Sequence, residues 1–392
     1  MKIAIDAREL RDKPTGVGRF LREILLAWNA MPEAAIHEFV LCAPAPVDVT
    51  GTGSLRLTSM TAPGDGTLWE QRTLPRLVRA SGADVLFAPG YSAPLFCKVP
   101  MVVAIHDVSF AAHPEWFSWR EGVRRRTIVQ LTAWAAARVL TISRFSKREI
   151  VARLGIDSSK VVVVYPGVTE IVSGLRQAQA ALSASKGGLR PSTSSGRPEC
   201  IEGSSPFPGP TVLFVGSIFN RRHVPELIEG FVRLARTDPT ARLEIVGDNR
   251  TSPRIDLAEQ ARSTGLTDRI NIRSYVSEED LRGLYASASV FVFLSEYEGF
   301  GLTPLEALAA GVPVLLLDTP LAREVCGDSA MYVARVEPAL IEAALTRLLS
   351  DNDERARLLA AARDVLVRYS WTDCARQVLT VLVSCGASLS GR

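Results

Sequence analysis

The sequence lacks the arrangements of cysteine and histidine that hold structural metals or disulfide frameworks. Its six cysteines are scattered with no CxxC pair, and its four histidines lack ligand spacing. The cysteines are Cys42, Cys97, Cys200, Cys326, Cys374 and Cys385. Scattered cysteines of this kind are typical of reduced, mostly buried thiols in a cytosolic protein. We therefore expect neither a zinc site nor a disulfide framework.

Long apolar runs and strong net charge are also missing. No uncharged run approaches the ~20 apolar residues that a membrane span needs, and the opening MKIAID reaches Asp6 too early for a secretion signal. With 45 basic and 42 acidic residues, the formal charge of +3 is too small to indicate nucleic acid as the main partner. These features predict a cytoplasmic protein and leave peripheral contact with the inner membrane face open.

The common phosphate-binding motifs are missing as well. No GxxxxGK[ST] phosphate loop is present. The segment TGVGRF supplies Gly16 and Gly18, but Leu21 stands where a dinucleotide GxGxxG motif needs its third glycine. This departure argues against a nicotinamide-dependent enzyme. Gly16 remains a weak candidate for bringing a backbone N–H group to a phosphate.

Short β-branched runs alternate with longer amphipathic stretches along most of the chain. This pattern predicts parallel strands joined by crossover helices. The predicted strands are KIAID, DVLFA, MVVAI, RVLTI and VVVVY in the first half, and TVLFVG, RLEIVG, INIRSY, SVFVFL and VPVLLL in the second. Helical spacing of Phe20, Leu21, Ile24, Leu25 and Trp28 predicts a helix between the first strands.

The length of 392 residues favours two domains, because single cores rarely exceed about 250 to 300 residues. A Ser-, Gly- and Pro-rich tract over 171–210 predicts a mostly disordered linker or insertion. We therefore predict two doubly wound α/β domains, 1–170 and 211–370, facing each other across a cleft. The last segment, 371–392, is predicted to form a helix that returns to the first domain, followed by a tail.

The stretch SEYEGFGLTPLEALAAGVPVL, residues 295–315, places Glu298 and Glu306 around a glycine-rich turn. One interpretation of Glu306 is structural, because Thr303, Pro304 and Glu306 suit a capping box with Thr303 as the N-cap. Capping does not explain Glu298. Glycines let backbone N–H groups approach a ligand at a helix N-terminus that favours anions, and carboxylates accept hydrogen bonds from sugar hydroxyls. The stretch therefore predicts a site for a ligand with hydroxyls at one end and phosphate at the other.

The stretch FVGSIFNRRHVPELIEGF reads as strand, loop and helix, with Arg221 and Arg222 just before the helix. Two guanidinium groups beside a helix N-terminus form a strong clamp for a pyrophosphate. A short basic pair can equally be a solvated loop. The position at the end of a strand favours the clamp.

Three further features have competing interpretations. His106 follows a predicted strand and would face a ligand, although a lone histidine is more often structural. The DND at 351–353 reads as a helix start, not a metal site. In PEWFSWREGVRRRTIVQ, aromatic residues lie beside Arg124, Arg125 and Arg126. That segment suits either a membrane surface or lipid-phosphate acceptor, or a solvated helix with aromatic core anchors.

These motifs together resemble the retaining, nucleotide-sugar-dependent glycosyltransferases of group 1, family four, which have the GT-B fold. EYEGFGLTPLEALAAGVPV resembles the EX7E signature of that family, and VGSIFNRRHVPELI resembles its donor-phosphate loop. TGVGRF, LWEQRTLP, FAPGYSAP, IHDVSFAAHPEWF, ISRFSKREI and YPGV resemble first-domain segments of bacterial, mannosyltransferase-like members. The family usually has Arg-Lys-Asn where this sequence has Arg221-Arg222-His223.

The resemblance implies roles for individual residues. Glu298 and the loop of Gly299, Phe300, Gly301, Leu302 and Thr303 would hold the donor sugar, and Glu306 would hold the ribose. Arg221 and Arg222 would bind the diphosphate, with help from the loops at Gly16 and Gly216. His106 would lie near the sugar and the reacting phosphate, and the loop around Val276 would cover the base.

The sequence thus predicts a metal-independent glycosyltransferase that moves a hexose from a nucleoside diphosphate sugar, without another cofactor, to a glycan or lipid-linked acceptor. GDP-mannose is the donor favoured by the resemblance. Two alternatives stay open: an epimerase of the same fold acting on a nucleotide sugar, and a non-catalytic protein that binds one.

Overall fold

The structure is a computed structural model that describes residues 1–11, 16–168 and 209–390. The chain forms two compact units. The first comprises Met1–Gly167, Glu298–Phe300 and Tyr369–Arg392, and the second comprises Val168–Tyr297 and Gly301–Arg368. Most of the predicted linker, 171–208, lies outside the described residues.

The first unit is built on a seven-stranded sheet in which every strand pairing is parallel, in the order β3-β2-β1-β4-β5-β6-β7. Its strands are β1 (Lys2–Asp6), β2 (Glu38–Ala43), β3 (Arg56–Thr61), β4 (Val85–Ala88), β5 (Met101–Ala104), β6 (Arg138–Thr141) and β7 (Val161–Val163). The central strands β4 and β5 are buried along their whole length, as expected for parallel strands covered on both faces.

The helices of the first unit connect these strands. They are α1 (Gly16–Asn29), α2 (Pro32–Ala35), α3 (Gly66–Leu68), α4 (Leu74–Ser81), α5 (Ser109–Ala112), α6 (Trp119–Ala135) and α7 (Arg144–Leu154). A π-helical turn, Trp69–Thr73, joins α3 to α4. The predicted stripe on α1, from Phe20 to Trp28, is buried and packs into the core on one face of the sheet.

The second unit contains a six-stranded sheet, also paired in parallel throughout, in the order β10-β9-β8-β11-β12-β13. Its strands are β8 (Thr211–Val215), β9 (Arg242–Val246), β10 (Ile270–Arg273), β11 (Val290–Phe293), β12 (Val314–Leu317) and β13 (Ala330–Val333). Its helices are α8 (Val224–Thr237), α9 (Leu257–Ser263), α10 (Glu278–Ser287), α11 (Leu302–Ala309), α12 (Pro320–Cys326), α13 (Pro338–Ser350) and α14 (Asn352–Leu366).

The last helix, α15 (Trp371–Ser390), belongs to the first unit. Cys374, Val378 and Leu382 repeat every four residues and are buried in the same core cluster as α1. The indole N–H of Trp28 donates to the carbonyl of Ala375 at 2.8 Å, which fixes α15 against α1.

Each sheet reverses its strand order at one point. In the first sheet the reversal lies between β1 and β4, and in the second between β8 and β11. Ligands of open α/β sheets bind outside the carboxyl ends of the strands at such a switch point. The prediction of two doubly wound α/β domains is confirmed, and the ten strands identified from the sequence are all present. β2, β3 and β13 were not identified from the sequence.

Candidate functional site

The switch point of the second sheet brings the arginine turn next to the loop that follows β11. Strands β8 and β11 pair through Val212 and Val290. Beyond their carboxyl ends, the backbone N–H of Glu296 donates to the carbonyl of Arg221 at 3.0 Å. The two segments that sequence analysis selected separately are therefore neighbours in space.

Both arginine side chains are oriented by neighbouring groups. Arg221 donates from Nε to the carbonyl of Tyr297 at 3.2 Å, and its guanidinium lies 4.3 Å from the ring centroid of Phe219. Arg222 donates from Nη1 to the carbonyl of Ser217 at 2.7 Å and lies 4.8 Å from the ring centroid of Phe293. Carbonyl dipoles and aromatic faces both attract a guanidinium group, and here they set the orientation of the two side chains.

Gly216 makes room for one of these guanidinium groups. A Cβ at Gly216 would lie 2.7 Å from Nη1 of Arg222, and the φ of +142° is one that other residues rarely adopt. The glycine therefore lets Arg222 lie directly over the end of β8. This places Gly216 beside the arginine pair, and its role in donor binding stays a prediction.

His223, one of the two residues that depart from the usual Arg-Lys-Asn, joins the same two segments. Its Nε2 lies 2.8 Å from a carboxylate oxygen of Glu296, and its Nδ1 lies 3.5 Å from Glu226 at the start of α8. Burial disfavours the charged imidazole, but hydrogen bonds to Glu226 and Glu296 outweigh it and raise the pKa of His223. The substitution thus adds a titratable contact beside the arginine pair.

Gly299 belongs to the first unit, although the chain on either side of Glu298–Phe300 belongs to the second. A Cβ at Gly299 would lie 2.6 Å from the carbonyl oxygen of His106. The carbonyl of Gly299 accepts hydrogen bonds from the hydroxyls of Ser143 at 2.8 Å and Ser146 at 3.0 Å. Only glycine fits this close approach, which brings two predicted site segments, at Glu298 and at His106, together.

His106 is buried directly after β5, with its ring held on three sides. Its Nε2 lies 2.8 Å from the carbonyl of Pro89, so Nε2 carries the proton and donates, and Nδ1 is left as an acceptor. Phe20 packs edge-on at 5.0 Å between centroids and Tyr91 lies at 5.5 Å. Burial lowers the pKa of His106, which keeps the imidazole neutral at pH 7.

Tyr91, which sequence analysis missed, forms part of the same cluster. Its hydroxyl donates to Asp107 at 2.7 Å, and its φ of +64° is unusual for a residue other than glycine. Burial, followed by the charge of Asp107, raises the pKa of Tyr91 well above its usual value. Backbone strain of this kind is concentrated at functional sites. The only sequence signal was its position in FAPGYSAP, after β4.

The predicted capping box at Thr303 is wrong. Helix α11 begins at Leu302, and its N-cap is Gly301 with a φ of +100° and no side-chain cap. The left-handed Gly301 turns the chain two residues earlier than a Thr303 cap would. Glu306 therefore lies in the body of the helix, buried, where the hydroxyl of Tyr285 donates to its Oε2 at 3.4 Å.

The remaining predicted site residues have varied surroundings. Phe300 is buried, and its ring packs against Tyr165 and Tyr369, which leaves its backbone as the part able to meet a ligand. Val276 follows β10, two strands away from β8 in the sheet. Gly16 is exposed at the first residue of α1, with nothing within 4 Å of a Cβ placed there.

A buried charge network at the switch point of the first sheet was also missed. The guanidinium of Arg8 bonds Asp6 at 2.6 Å and Glu70 at 2.7 Å, and Ser92 donates to Glu70 at 2.6 Å. Burial opposes the charge of Arg8, yet the two carboxylates raise its pKa. Glu70 lies in the π-helical turn, a feature frequent at functional sites. The charged residues lie in the motifs IDAREL and LWEQ, but nothing in the sequence indicated that these two motifs are in contact.

Asp351 of the DND segment caps α14, as predicted, because its side chain accepts a hydrogen bond from the N–H of Glu354. Across residues 1–11, 16–168 and 209–390 we find no group of three or more His, Cys, Asp or Glu side chains able to hold a metal ion. In the same residues, no helix combines the length and apolar character of a membrane span.

Comparison with protein families matches both halves of the chain. The family described as Glycosyl transferases group 1 matches residues 203–365, and the one described as Glycosyltransferase Family 4 matches residues 14–170. The two matches cover the two sheets almost completely. They include the arginine turn, the loop at Glu298 and His106.

Individual relatives are similar at modest identity. Mannosylfructose-phosphate synthase from Agrobacterium fabrum is 31% identical over 194 residues, 45% of this chain and 41% of that protein. O-antigen chain mannosyltransferase B from Escherichia coli is 26% identical over 284 residues, 71% of this chain and 68% of that protein. The matched part thus spans about two fifths of the first relative and about two thirds of the second.

Among solved structures, that of HepE from Anabaena in complex with UDP-glucose is similar with a TM-score of 0.71. The identity is 17%, over 98% of this chain and 100% of the other. At that identity the likeness establishes the fold, which is GT-B. With the fold and both family matches in agreement, the chain belongs to the group 1 glycosyltransferases.

Proposed function

We propose that the protein transfers a hexose from a nucleoside diphosphate sugar to an acceptor hydroxyl, with retention of configuration and without a metal ion. The acceptor is a glycan or a lipid-linked glycan, as in polysaccharide biosynthesis at the cytoplasmic face of a membrane. The observation that carries the proposal is the adjacency of the arginine turn and the loop after β11, through the hydrogen bond between Glu296 and Arg221.

In this proposal Arg221 and Arg222 hold the diphosphate. Both side chains are fixed by carbonyl groups and aromatic rings, and α8 begins directly after them. The diphosphate becomes more negative as the bond between C1 of the sugar and its phosphate oxygen breaks. Charges placed in advance where negative charge develops stabilise the transition state strongly. Gly216 and Gly16 present backbone N–H groups to the same end of the donor, and Val276 covers the base.

Glu298 and the backbone from Gly299 to Thr303 hold the sugar, and Glu306 holds the ribose. Neutral His106 contributes Nδ1 as a hydrogen-bond acceptor near the sugar. The acceptor oxygen forms the new bond to C1 on the face from which the diphosphate departs. The hydroxyl proton passes to the leaving diphosphate, so the transfer needs no covalent side-chain nucleophile.

Mannose is the sugar that we favour, with GDP-mannose as donor. Two relatives with mannosyl in their names support this choice. The UDP-glucose bound to HepE makes UDP-glucose the main competitor. The two donors differ in both base and sugar, so a panel must vary each independently.

The test is a donor panel followed by matched variants. The protein is screened by thermal shift against GDP, UDP and ADP and their mannose, glucose and galactose derivatives, because ligands of the folded state raise the melting temperature. The best donor is then assayed for nucleotide release with glycan and polyprenyl-linked acceptors, and the anomeric product is identified by NMR. We expect transfer of mannose from GDP-mannose with retention.

Variants then test the named residues. Arg221→Met with Arg222→Met is expected to lower kcat/KM by about 10⁴-fold, if each group contributes roughly 10². Glu298→Gln should lower it by about 10²-fold for the same reason. Arg233→Met with Arg236→Met, on the exposed side of α8, is the matched control and should leave activity unchanged. Parental activity in the Arg221/Arg222 variant would refute the proposed clamp.

The same assay separates the alternatives. An epimerase would convert the nucleotide sugar with no acceptor present. A non-catalytic binding protein would give a thermal shift with a nucleotide sugar and no turnover on any acceptor. Either result would overturn the transferase.

A further inference from the structure

A cavity of about 320 Å³ lies in the first unit, between α4 and the segment that leads into β5. Its lining includes Val78 on α4, Ala83 two residues before β4, and Val99 two residues before β5. Because β4 and β5 are parallel, the cavity lies at the amino ends of both strands. Tyr91 and His106 follow the carboxyl ends of the same strands, at the opposite edge of the sheet. The cavity is therefore separate from the site residues of the first unit.

The surface inside this cavity is mainly apolar. Pro75 and Val78 contribute to it from α4, and Phe96 and Val99 contribute from the segment before β5. Cys97 also lines the cavity, and burial raises the pKa of its thiol, which keeps the group uncharged at pH 7. Small-molecule pockets are mostly apolar, begin at about 300 Å³ and contain a few well-placed polar groups. The cavity thus suits the apolar body of a ligand of modest size.

Three exposed basic side chains, Arg76, Arg79 and Lys98, line the same cavity. In the part of the chain that the structure describes, none of the three makes a side-chain hydrogen bond or an ion pair. Arg76 and Arg79 are three positions apart on α4, so their side chains lie on one face of the helix. Arg79 lies in the last turn, where a cation complements the helix dipole, but Arg76 lies a turn earlier, beyond that effect. The helix alone therefore does not account for the cluster.

Acidic groups do not balance this charge. The described residues that line the cavity include no aspartate or glutamate. The acid nearest in the sequence, Asp84, accepts a hydrogen bond from the backbone N–H of Lys2 at 2.8 Å. Two guanidinium groups can bind one carboxylate or phosphate through several N–H donors, and such charge-assisted hydrogen bonds are stronger than neutral ones. The cavity thus combines an apolar interior with an anion-binding entrance.

We propose that this cavity binds a small organic anion with an apolar body and one carboxylate or phosphate group. The apolar body fills the space between α4 and the segment before β5, and Arg76, Arg79 and Lys98 hold the anionic group. A partner protein is a poorer occupant, because a standard interface buries about 800 Å² on each side. Among the described residues that line the cavity, Phe96, 89% exposed, is the one large apolar side chain open to solvent.

Alkylation of Cys97 reports on occupancy, because Cys97 is the one cysteine of the described residues that is not buried. The full chain reacts with iodoacetamide at mildly alkaline pH, and peptide mass spectrometry follows Cys97. The probes are naphthoate and naphthyl phosphate, which join one ring to different anions, and naphthamide is their uncharged analogue. We expect the better anion to slow alkylation at concentrations about tenfold below those that naphthamide needs. The assay contains no nucleotide sugar, so its result does not depend on the proposed transferase.

A paired variant assigns the binding to the cations. Arg76→Gln/Arg79→Gln is expected to weaken protection by the better anion about tenfold and to leave protection by naphthamide unchanged. Both side chains are exposed, so the variant should keep the melting temperature of the parent. Arg233→Gln/Arg236→Gln is the matched control, because these arginines are also exposed and three positions apart on a helix, α8. The control should protect Cys97 as the parent does.

Four results would overturn the proposal. The first is the absence of protection by either anion at millimolar concentration. The second is equal protection by naphthamide, because the cations would then take no part in binding. The third is an equal loss of protection in Arg76→Gln/Arg79→Gln and in its control. The fourth is a concentration-dependent dimer that Phe96→Ser abolishes, because a second copy of the chain would then cover the cavity.

Discussion

The switch points of the two sheets both contain arginine side chains, but different groups surround them. In the first unit, Arg8 is held between the carboxylates of Asp6 and Glu70 and is 16% exposed. In the second, Arg221 and Arg222 are oriented by carbonyl groups and the rings of Phe219 and Phe293. The first arrangement uses its charge inside the fold. The second orients two guanidinium groups through backbone carbonyls and aromatic rings.

We propose that this contrast separates one structural arginine, Arg8, from two arginines that bind ligand, Arg221 and Arg222. A buried ion pair is strongly destabilised when one partner is removed, because the other charge is left uncompensated. The contacts with carbonyl groups and rings position the Arg221 and Arg222 side chains at the switch point of the second sheet, where ligands of open α/β sheets bind. Arg8 should therefore matter for stability, and the Arg221 and Arg222 pair for donor binding. Three predictions probe this division.

The largest effect is expected at Arg8. Arg8→Met leaves Asp6 and Glu70 buried together without their cation, so the free energy of unfolding should fall by about 3–5 kcal/mol. Equilibrium unfolding in denaturant measures this change in the free energy of unfolding. Arg11→Met is the control, since Arg11 is more exposed and lies 3.7 Å from an exposed Asp65. It should change stability by less than about 0.5 kcal/mol. If Arg8→Met kept the free energy of unfolding of the parent, the structural role assigned to Arg8 would be wrong.

An intermediate effect is expected at Gly299. A methyl group in Gly299→Ala would collide with the carbonyl of His106 at 2.6 Å and displace the loop that carries Glu298. A misplacement near 1 Å can cost about 10²-fold in rate, so kcat/KM should fall by that order. Gly283→Ala is the control, because a Cβ there meets nothing within 4 Å. In a helix interior it should stabilise the fold by about 0.5–1 kcal/mol.

Normal turnover in Gly299→Ala would show that the contact with His106 does not position Glu298. A crystal structure of the variant would then be expected to show an unmoved loop. If turnover is lost and the loop has moved, the loop position is tied to catalysis.

The smallest effect is expected at His223. Its pKa in the folded protein is raised by Glu226 and Glu296, so protonation favours folding. This stabilisation is complete below the unfolded value of about 6.5, and it is lost as pH rises through the higher folded pKa. We expect less than about 1 kcal/mol for such a partly exposed pair. Unfolding measured from pH 6 to pH 8 should show this decline in the parent protein.

His223→Asn restores the residue usual in the family and removes the titrating group. The decline in stability over that pH range should shrink in this variant. If the free energy of unfolding of His223→Asn fell with pH as steeply as that of the parent, the pH dependence would arise from other groups. Protonation of His223 would then not stabilise the contact between the two segments.

The ten strands identified from the sequence are buried β-branched runs, and the structure has all of them. The missed strands β3 and β13 are edge strands, and β3 carries mostly polar residues in RLTSMT. EFVLCA, strand β2, is a short apolar run that periodicity cannot distinguish from a buried helix segment. The capping error at Thr303 arose because Gly301 in a left-handed conformation started α11 earlier than the capping pattern suggested.

The proposed site residues were found because they cluster within short motifs. Arg221 and Arg222 are adjacent, and Glu298 lies within a glycine-rich stretch. Tyr91 and the pairing of Arg8 with Glu70 gave no such local signal. Arg8 and Glu70 are 62 positions apart and meet where the connection from β3 to α4 passes the end of β1.

The sequence by itself determined the parallel strands, the crossover helices and the chemistry available at each strand end, because these follow from local apolar patterning and residue type. Only the tertiary structure decided which strand ends meet, which carboxylates pair with Arg8 and how closely Gly299 approaches His106. Those outcomes depend on the order of strands in each sheet and on close packing between residues far apart in the chain, which local patterns do not encode.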